Sequence, residues 1–210
     1  MDKGKFEVRS TFFIVMEKIE LNLETFIHHP EKYINDNYNP EKYTNEKEIT
    51  FEKKIVDLGL KLCKQIANGL LFLWENNVVH RDIKLNNILV LKQAKHYTPV
   101  ICDFGLSKVV DSNKKCMVND IGSQIHTAPE ILKVFSGSAQ VNTDFSKQPS
   151  WELGVICFEI CSGGNLPFDP YDPTKSLPDI DFTVMRKKGY PKELEVLISE
   201  LLQQHSSDRM

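Results

Sequence analysis

The sequence predicts a mainly helical α+β domain with short β-hairpins, and three observations carry that expectation. Leu58, Leu62, Ile66, Leu70 and Leu73 recur at helical spacing, with Trp74 beside the last of them. Leu194, Leu197, Ile198, Leu201 and Leu202 repeat the pattern later in the chain. The apolar runs Ile88-Leu89-Val90 and Val100-Ile101-Cys102 flank a polar stretch, which reads as a β-hairpin.

The chain has 210 residues, enough for one domain with a sizeable core. Its 41% hydrophobic and 26% charged residues are those of a globular protein, which excludes the disordered and fibrous classes. A net charge of −3 argues against a nucleic-acid footprint. No apolar run approaches the ~20 residues that cross a bilayer, and Met1 to Ser10 lacks the apolar core of a signal peptide. The five cysteines, Cys63, Cys102, Cys116, Cys157 and Cys161, form no CxxC pair. Cys157 and Cys161 lie one helical turn apart, a spacing a metal pair would use. Two buried structural thiols on an apolar helix are the expected case. The odd count fits a reducing compartment, so a cytoplasmic location is expected.

Along the chain, Phe12 to Glu17 is a short aromatic and β-branched run, read as a strand. From about 28 to 54 the composition turns to Asn, Lys, Glu and Tyr, and Pro30-Glu31-Lys32-Tyr33 recurs as Pro40-Glu41-Lys42-Tyr43. Two copies do not make a solenoid. The stretch reads as a solvated insertion between two helices, with a docking segment as the alternative. The Leu58 to Leu73 helix then leads into His80-Arg81-Asp82-Ile83-Lys84-Leu85-Asn86-Asn87. Asp103-Phe104-Gly105 begins sixteen residues past Asn87, and Ala128-Pro129-Glu130 follows.

One such tripeptide alone would carry little weight. The three motifs in this order and spacing resemble the catalytic half of a eukaryotic protein kinase, and Lys84 resembles the serine/threonine type. The resemblance runs from about Phe12 to Arg209 and leaves the subfamily open. It implies ATP and Mg2+ as cofactors and a protein as substrate. Asp82 would accept the substrate hydroxyl proton, and Lys84 would neutralise the transferring phosphoryl group. Asn87 and Asp103 would hold magnesium through hard oxygen ligands. Arg81 would pair with an anion on the following loop. His80, Phe104 and Gly105 would be structural, Gly105 letting the backbone turn after Asp103.

The string from Phe13 to Ile27 resembles the last strand of a kinase small lobe, its hinge and the next helix. On that match residues 1–16 are the last small-lobe strand, 17–20 the hinge and 21–210 the large lobe. Met16 would be the gatekeeper. Glu17 and Ile19 would face adenine with backbone groups, Leu89 would pack beneath it, and Cys102 would line the same pocket or be merely buried. The family's glycine-rich loop and phosphate-binding lysine precede its hinge. Here Gly4 is the only glycine before Gly59, and Lys3 and Lys5 sit in no VAIK-like strand. The expectation is therefore a large lobe with the small lobe absent except for its last strand.

In the segment from Asp103 to Glu130, Gly122-Ser123 matches the family's Gly-Thr. The resemblance implies a Ser123 hydroxyl bridging Asp82 and Lys84. His126 stands where the family usually has Tyr. The usual phosphorylated residue is replaced by Asn119, with Asp120 beside it. Trp151 to Ile160 resembles the family's central buried helix. The aspartate two residues before the tryptophan is here Pro149, which suggests a less rigidly held catalytic loop. Arg209 falls where the family has the arginine that pairs with the APE glutamate, here Glu130. The expected function is a serine/threonine protein kinase whose chain as given is inactive alone. The alternative is a non-catalytic kinase-like interaction module.

Overall fold

The computed structural model describes residues 17–34, 45–94, 96–135, 140–168, 172 and 175–210. The strand expected at 1–16, and Met16 with it, lies outside the described residues. The chain from Glu17 enters α1 (Leu23–His28), whose start is capped by Asn22: its side-chain oxygen accepts the Thr25 N–H at 2.9 Å. Then follow α2 (Pro30–Ile34) and the long α3 (Asn45–Glu75).

The polar stretch 28–54 is helical in part. α2 occupies its beginning and α3 its end, leaving 35–44 outside the described residues. Glu and Lys are good helix formers, so the polar residues before Lys54 extend the amphipathic helix rather than interrupt it. Leu62, Ile66 and Leu70 of the expected stripe are buried, while Leu58 and Leu73 are partly so.

The described strands form three antiparallel pairs. β1 (Val78–Val79) pairs with β4 (Lys108–Val109), and β5 (Lys115–Val118) pairs with β6 (Val141–Asp144). β2 (Ile88–Gln93) and β3 (His96–Ile101) form the expected hairpin, with Ile88 opposite Ile101. Its inward residues Ile88 and Val90 are buried, as the period of two requires.

Four further α-helices follow among the described residues. α4 (Pro129–Val134) has its proline at the first turn, where a missing N–H costs nothing. α5 (Gln148–Ser162) is buried along nearly its whole length and ends at Gly163, whose φ of +87° closes the helix in the left-handed conformation. α6 (Thr183–Lys188) and α7 (Lys192–Leu201) pack on its far side. α5 is the axis of the core: Trp151, Val155 and Ile156 are fully buried, and the Trp151 ring stacks on Phe168 with centroids 5.9 Å apart. Cys157 and Cys161 are buried in the same core, next to Cys63 of α3. What remains at the edge of this core, between β1 and β2, is the loop from His80 to Asn87.

Candidate active site

The loop 80–87 is held by its own side chains. His80 is buried; its Nε2–H donates to the Cys102 carbonyl at 2.9 Å, and Nδ1 faces the Asp82 N–H at 3.4 Å. Burial holds its pKa below the ordinary value, so the ring is a neutral imidazole that uses one nitrogen as donor and the other as acceptor. Phe104 packs edge-on against this ring at 4.8 Å while leaving about half its surface exposed.

Asp82 lies at the centre. Its Oδ2 accepts from Lys84 Nζ at 2.8 Å and from Asn87 Nδ2 at 2.8 Å. Its Oδ1 accepts the Ser123 backbone N–H at 3.2 Å. Burial pushes the Asp82 carboxyl upward, but Lys84, the Ser123 amide and Asn87 outweigh it, and the pKa lies below the usual value. The result is a partly buried carboxylate that stays ionised. Gly122 makes the Ser123 contact possible. A β-carbon there would overlap the Arg81 carbonyl oxygen and lie 3.0 Å from Asp82 Oδ1.

Here the structure corrects one expectation. The Ser123 hydroxyl does not bridge Asp82 and Lys84; Oγ lies 3.0 Å from His126 Nδ1, and only the backbone amide of Ser123 reaches Asp82. The reason is His126. Its ring offers the hydroxyl a partner on one side, and its Nε2 meets buried Glu159 Oε2 at 2.9 Å on the other. The hydroxyl is thus drawn toward α5.

The hairpin brings Asn87 against Cys102, the residue before Asp103. The Asn87 carbonyl accepts the Cys102 N–H at 2.9 Å and faces Cys102 Sγ at 3.3 Å. Cys102 itself lies just past β3, half-buried, its thiol pKa raised by burial and by the neighbouring Asp103. Asp103 has φ of +62° and is exposed, with Oδ1 accepting the Gly105 N–H at 3.3 Å. The Asn87 amide nitrogen is committed to Asp82, which leaves its oxygen as the free donor atom. An amide oxygen and a carboxylate are both of the type that suits a hard divalent cation such as Mg2+.

The stretch 17–22 runs beside this site. Asn22 bridges to Leu89, and the Val90 N–H donates to the Leu21 carbonyl at 2.7 Å. Farther up this stretch Glu17 is exposed and Ile19 half-buried.

Arg81 holds the following segment. Its guanidinium donates to the Leu106 carbonyl at 2.9 Å and to Asp120 Oδ1 at 2.5 Å, and it also meets the Asp120 carbonyl. Farther out, Arg209 donates to both carboxylate oxygens of Glu130 and lies 5.0 Å above the Trp151 ring.

Three buried polar residues of α5 carry no signal in the motifs. Gln148 takes the Ala128 N–H on Oε1 and gives its Nε2–H to the His126 carbonyl, tying 126–128 to α5. Glu152 and Glu159 are buried acids inside an otherwise apolar helix. That interruption of the apolar run was the available signal.

The protein kinase domain model matches residues 5–210. The chain is 33% identical to the meiosis-specific serine/threonine-protein kinase mek1 of Schizosaccharomyces pombe, over 69% of this chain and 33% of that protein. It is 33% identical to the serine/threonine-protein kinase atg1 of Dictyostelium discoideum, over 66% of this chain and 19% of that protein. It is 29% identical to myosin light chain kinase 3 of Mus musculus, over 98% of this chain and 23% of that protein. The chain thus spans a third or less of the length of these relatives. With a family match over nearly all its residues, the chain belongs to the protein kinase family.

Proposed function

We propose that this chain is the catalytic large lobe of a serine/threonine protein kinase, with residues 17–20 as its hinge, acting in the cytoplasm on protein hydroxyls with ATP as phosphoryl donor. The observation that carries the reading is the Asp82 carboxylate. It is kept ionised by Lys84, Asn87 and the Ser123 amide.

The chemistry follows from these groups. A substrate hydroxyl donates its hydrogen bond to Asp82 and gives up its proton there as its oxygen attacks the γ-phosphorus. The bond between that phosphorus and the β–γ bridging oxygen breaks, and ADP leaves. Lys84, already beside Asp82 at 2.8 Å, offers its positive charge to the moving phosphoryl oxygens. Asn87 and Asp103 would hold Mg2+, which neutralises phosphate charge. Leu89 and the 17–19 backbone would meet the adenine.

The mek1 and atg1 names support serine/threonine specificity. A second reading, a non-catalytic kinase-like interaction module, is favoured by one fact: residue 149, in the first turn of α5, is proline and offers no carboxylate to the loop 80–87. The deciding experiment is phosphate transfer from labelled ATP to a mixed Ser/Thr peptide library, by the chain joined in cis to a kinase small lobe, with Asp82 intact and as Asp82→Asn. Transfer lost in the variant supports the kinase reading; equal incorporation by both overturns it.

A further inference from the structure

Helix α3 ends against the segment 103–130, and one lysine of that segment meets it there. Lys114 Nζ donates to the Trp74 carbonyl at 2.9 Å and to Asn77 Oδ1 at 2.8 Å. The same ammonium lies over the Trp74 ring, 4.1 Å from its centre. Trp74 belongs to the last turn of α3, where carbonyls lack intrahelical partners and the helix end carries partial negative charge. That turn has no basic residue of its own. Lys114 supplies the cation from 40 residues away. The nearest acid in the sequence, Asp111, spends its Oδ1 on the Asn113 and Lys115 amides.

This grip reaches the candidate active site along the backbone. Asn77 and Lys114 both stand in the left-handed region, with φ of +57° and +60°, a conformation that persists only where contacts hold it. The Asn77 carbonyl accepts the Val110 N–H at 2.8 Å. Asn77 immediately precedes β1, which leads into the loop 80–87, and Val110 immediately follows β4, which leads out of 103–107. β1 and β4 have two residues each, and so short a ribbon is marginal without support. On the other side, the Lys114 carbonyl accepts the Phe145 N–H at 2.9 Å, and the Arg81 guanidinium lies 5.9 Å from the Phe145 ring centre.

We propose that Lys114 is a positioning residue: its ammonium latches the segment 103–130 to the end of α3, closes β4 on β1, and so keeps the loop carrying Asp82 beside the loop carrying Asp103. Its consequence for phosphate transfer rests on the kinase reading; its geometry does not.

The latch is tested first on the whole 210-residue chain. In 15N-labelled wild type, the Lys114 ammonium should give a slowly exchanging resonance, shifted upfield by the Trp74 ring current. A Lys114 ammonium that exchanges and resonates like a free surface lysine overturns the proposal, and no variant is needed to see it. Amide exchange at Val110 is then compared in Lys114→Met and Lys114→Arg, with Ile156 in the core as reference. Met keeps the length but neither charge nor donors, and should speed Val110 exchange about tenfold or more with Ile156 unchanged. Arg keeps both and should keep Val110 protected. Unchanged Val110 exchange in a folded Lys114→Met, equal acceleration at Ile156, or an Arg variant as fast as Met overturns the latch.

Peptide phosphorylation is measured on the same variants joined in cis to a kinase small lobe. Lys114→Met should lower kcat about fivefold with little change in peptide KM, and Lys114→Arg should restore it. A kcat equal to that of the protein with Lys114 overturns the link to the chemistry. Should the fused protein with Lys114 intact transfer no phosphate, the kinase reading fails, while the resonance and the exchange still decide the latch.

Discussion

Arg209 reaches across 79 residues of sequence to grip Glu130 with two hydrogen bonds, at 2.6 and 3.0 Å, from a side chain with no exposed surface. The same guanidinium satisfies the Gln203 carbonyl and covers the Trp151 ring. It therefore fixes the end of the segment 103–130 to the helical core. Glu130 keeps some contact with water, with 28% of its side chain exposed.

Arg209→Ala should destabilise the fold by roughly 3–5 kcal/mol, because a partly buried carboxylate is left unpaired and the Trp151 face loses its cover. Urea denaturation followed by tryptophan fluorescence measures this. A midpoint equal to wild type would mean that the pair contributes nothing. Arg209→Lys should recover only part of the loss, since an ammonium cannot form the two parallel bonds.

Activity should not depend on phosphorylation at the usual activation site. Arg81, which would otherwise await a phosphate, already holds Asp120 at 2.5 Å. A carboxylate is the weaker partner, but it is permanent. Phosphatase treatment is expected to leave transfer unchanged, while Asp120→Ala lowers it several-fold. Activity lost to phosphatase and regained on rephosphorylation at Ser107, Ser112 or Thr127 would refute this.

Legibility followed sequence locality. His80, Asp82, Lys84 and Asn87 converge because one eight-residue loop carries them, so their spacing was enough to bring them together on paper. The hairpin was legible for the same reason: Ile88 and Ile101 alternate inward on strands joined by a short turn. The β5–β6 pair was not, because four-residue strands so far apart in sequence leave no periodic signal. The Ser123 hydroxyl was misassigned because its orientation is decided by His126 and Glu159, the latter on another element. Glu152 was passed over because Pro149, two residues before the tryptophan, drew attention to what was missing rather than to the acid one turn later.

Glu152 should make the fold lose stability as the solution becomes alkaline. Burial raises its carboxyl from 4.5 to about 8. The sign follows directly. Between these two values the folded chain keeps a proton that the unfolded chain has released, so unfolding becomes easier as pH rises. The loss begins near 4.5, is complete above 8, and amounts to a limit on the order of 5 kcal/mol. Glu152→Gln cannot ionise and should flatten this part of the profile. Parallel stability curves for the two proteins across that window would rule the effect out.

The Asp82 carboxylate should titrate in the opposite sense. Its pKa lies below the ordinary 3.8, held there against burial mainly by Lys84. The acid limb of kcat/KM should therefore fall below the usual carboxylate range in wild type. Lys84→Ala should move that limb upward as well as slowing transfer. A limb in the same position in both proteins would show that Lys84 does not set the ionisation of Asp82.

The 210-residue chain alone should bind Mg-ATP weakly, with a dissociation constant above ~1 mM, or about −4 kcal/mol. Leu89, Asn87 and Asp103 would meet a nucleotide from one side only, and magnesium recruited by two ligands would keep most of its water. Supplying a kinase small lobe in cis should restore affinity. Calorimetry giving a micromolar, magnesium-dependent constant for the chain alone would contradict this.

Two non-glycine residues of the site, Arg81 and Asp103, sit in the left-handed backbone region, with φ of +73° and +62°. Each such conformation costs on the order of 1–3 kcal/mol relative to relaxed backbone. It persists only because the surroundings hold it: the Arg81 head group at Leu106 and Asp120, and the Asp103 side chain at Gly105. The loop is thus loaded like a sprung catch. Releasing either side chain frees local strain, so variants at these positions can stabilise the chain while abolishing its chemistry. Selection for thermal hardiness alone would erode this site first, and a rise in melting temperature at either position is a warning of lost function.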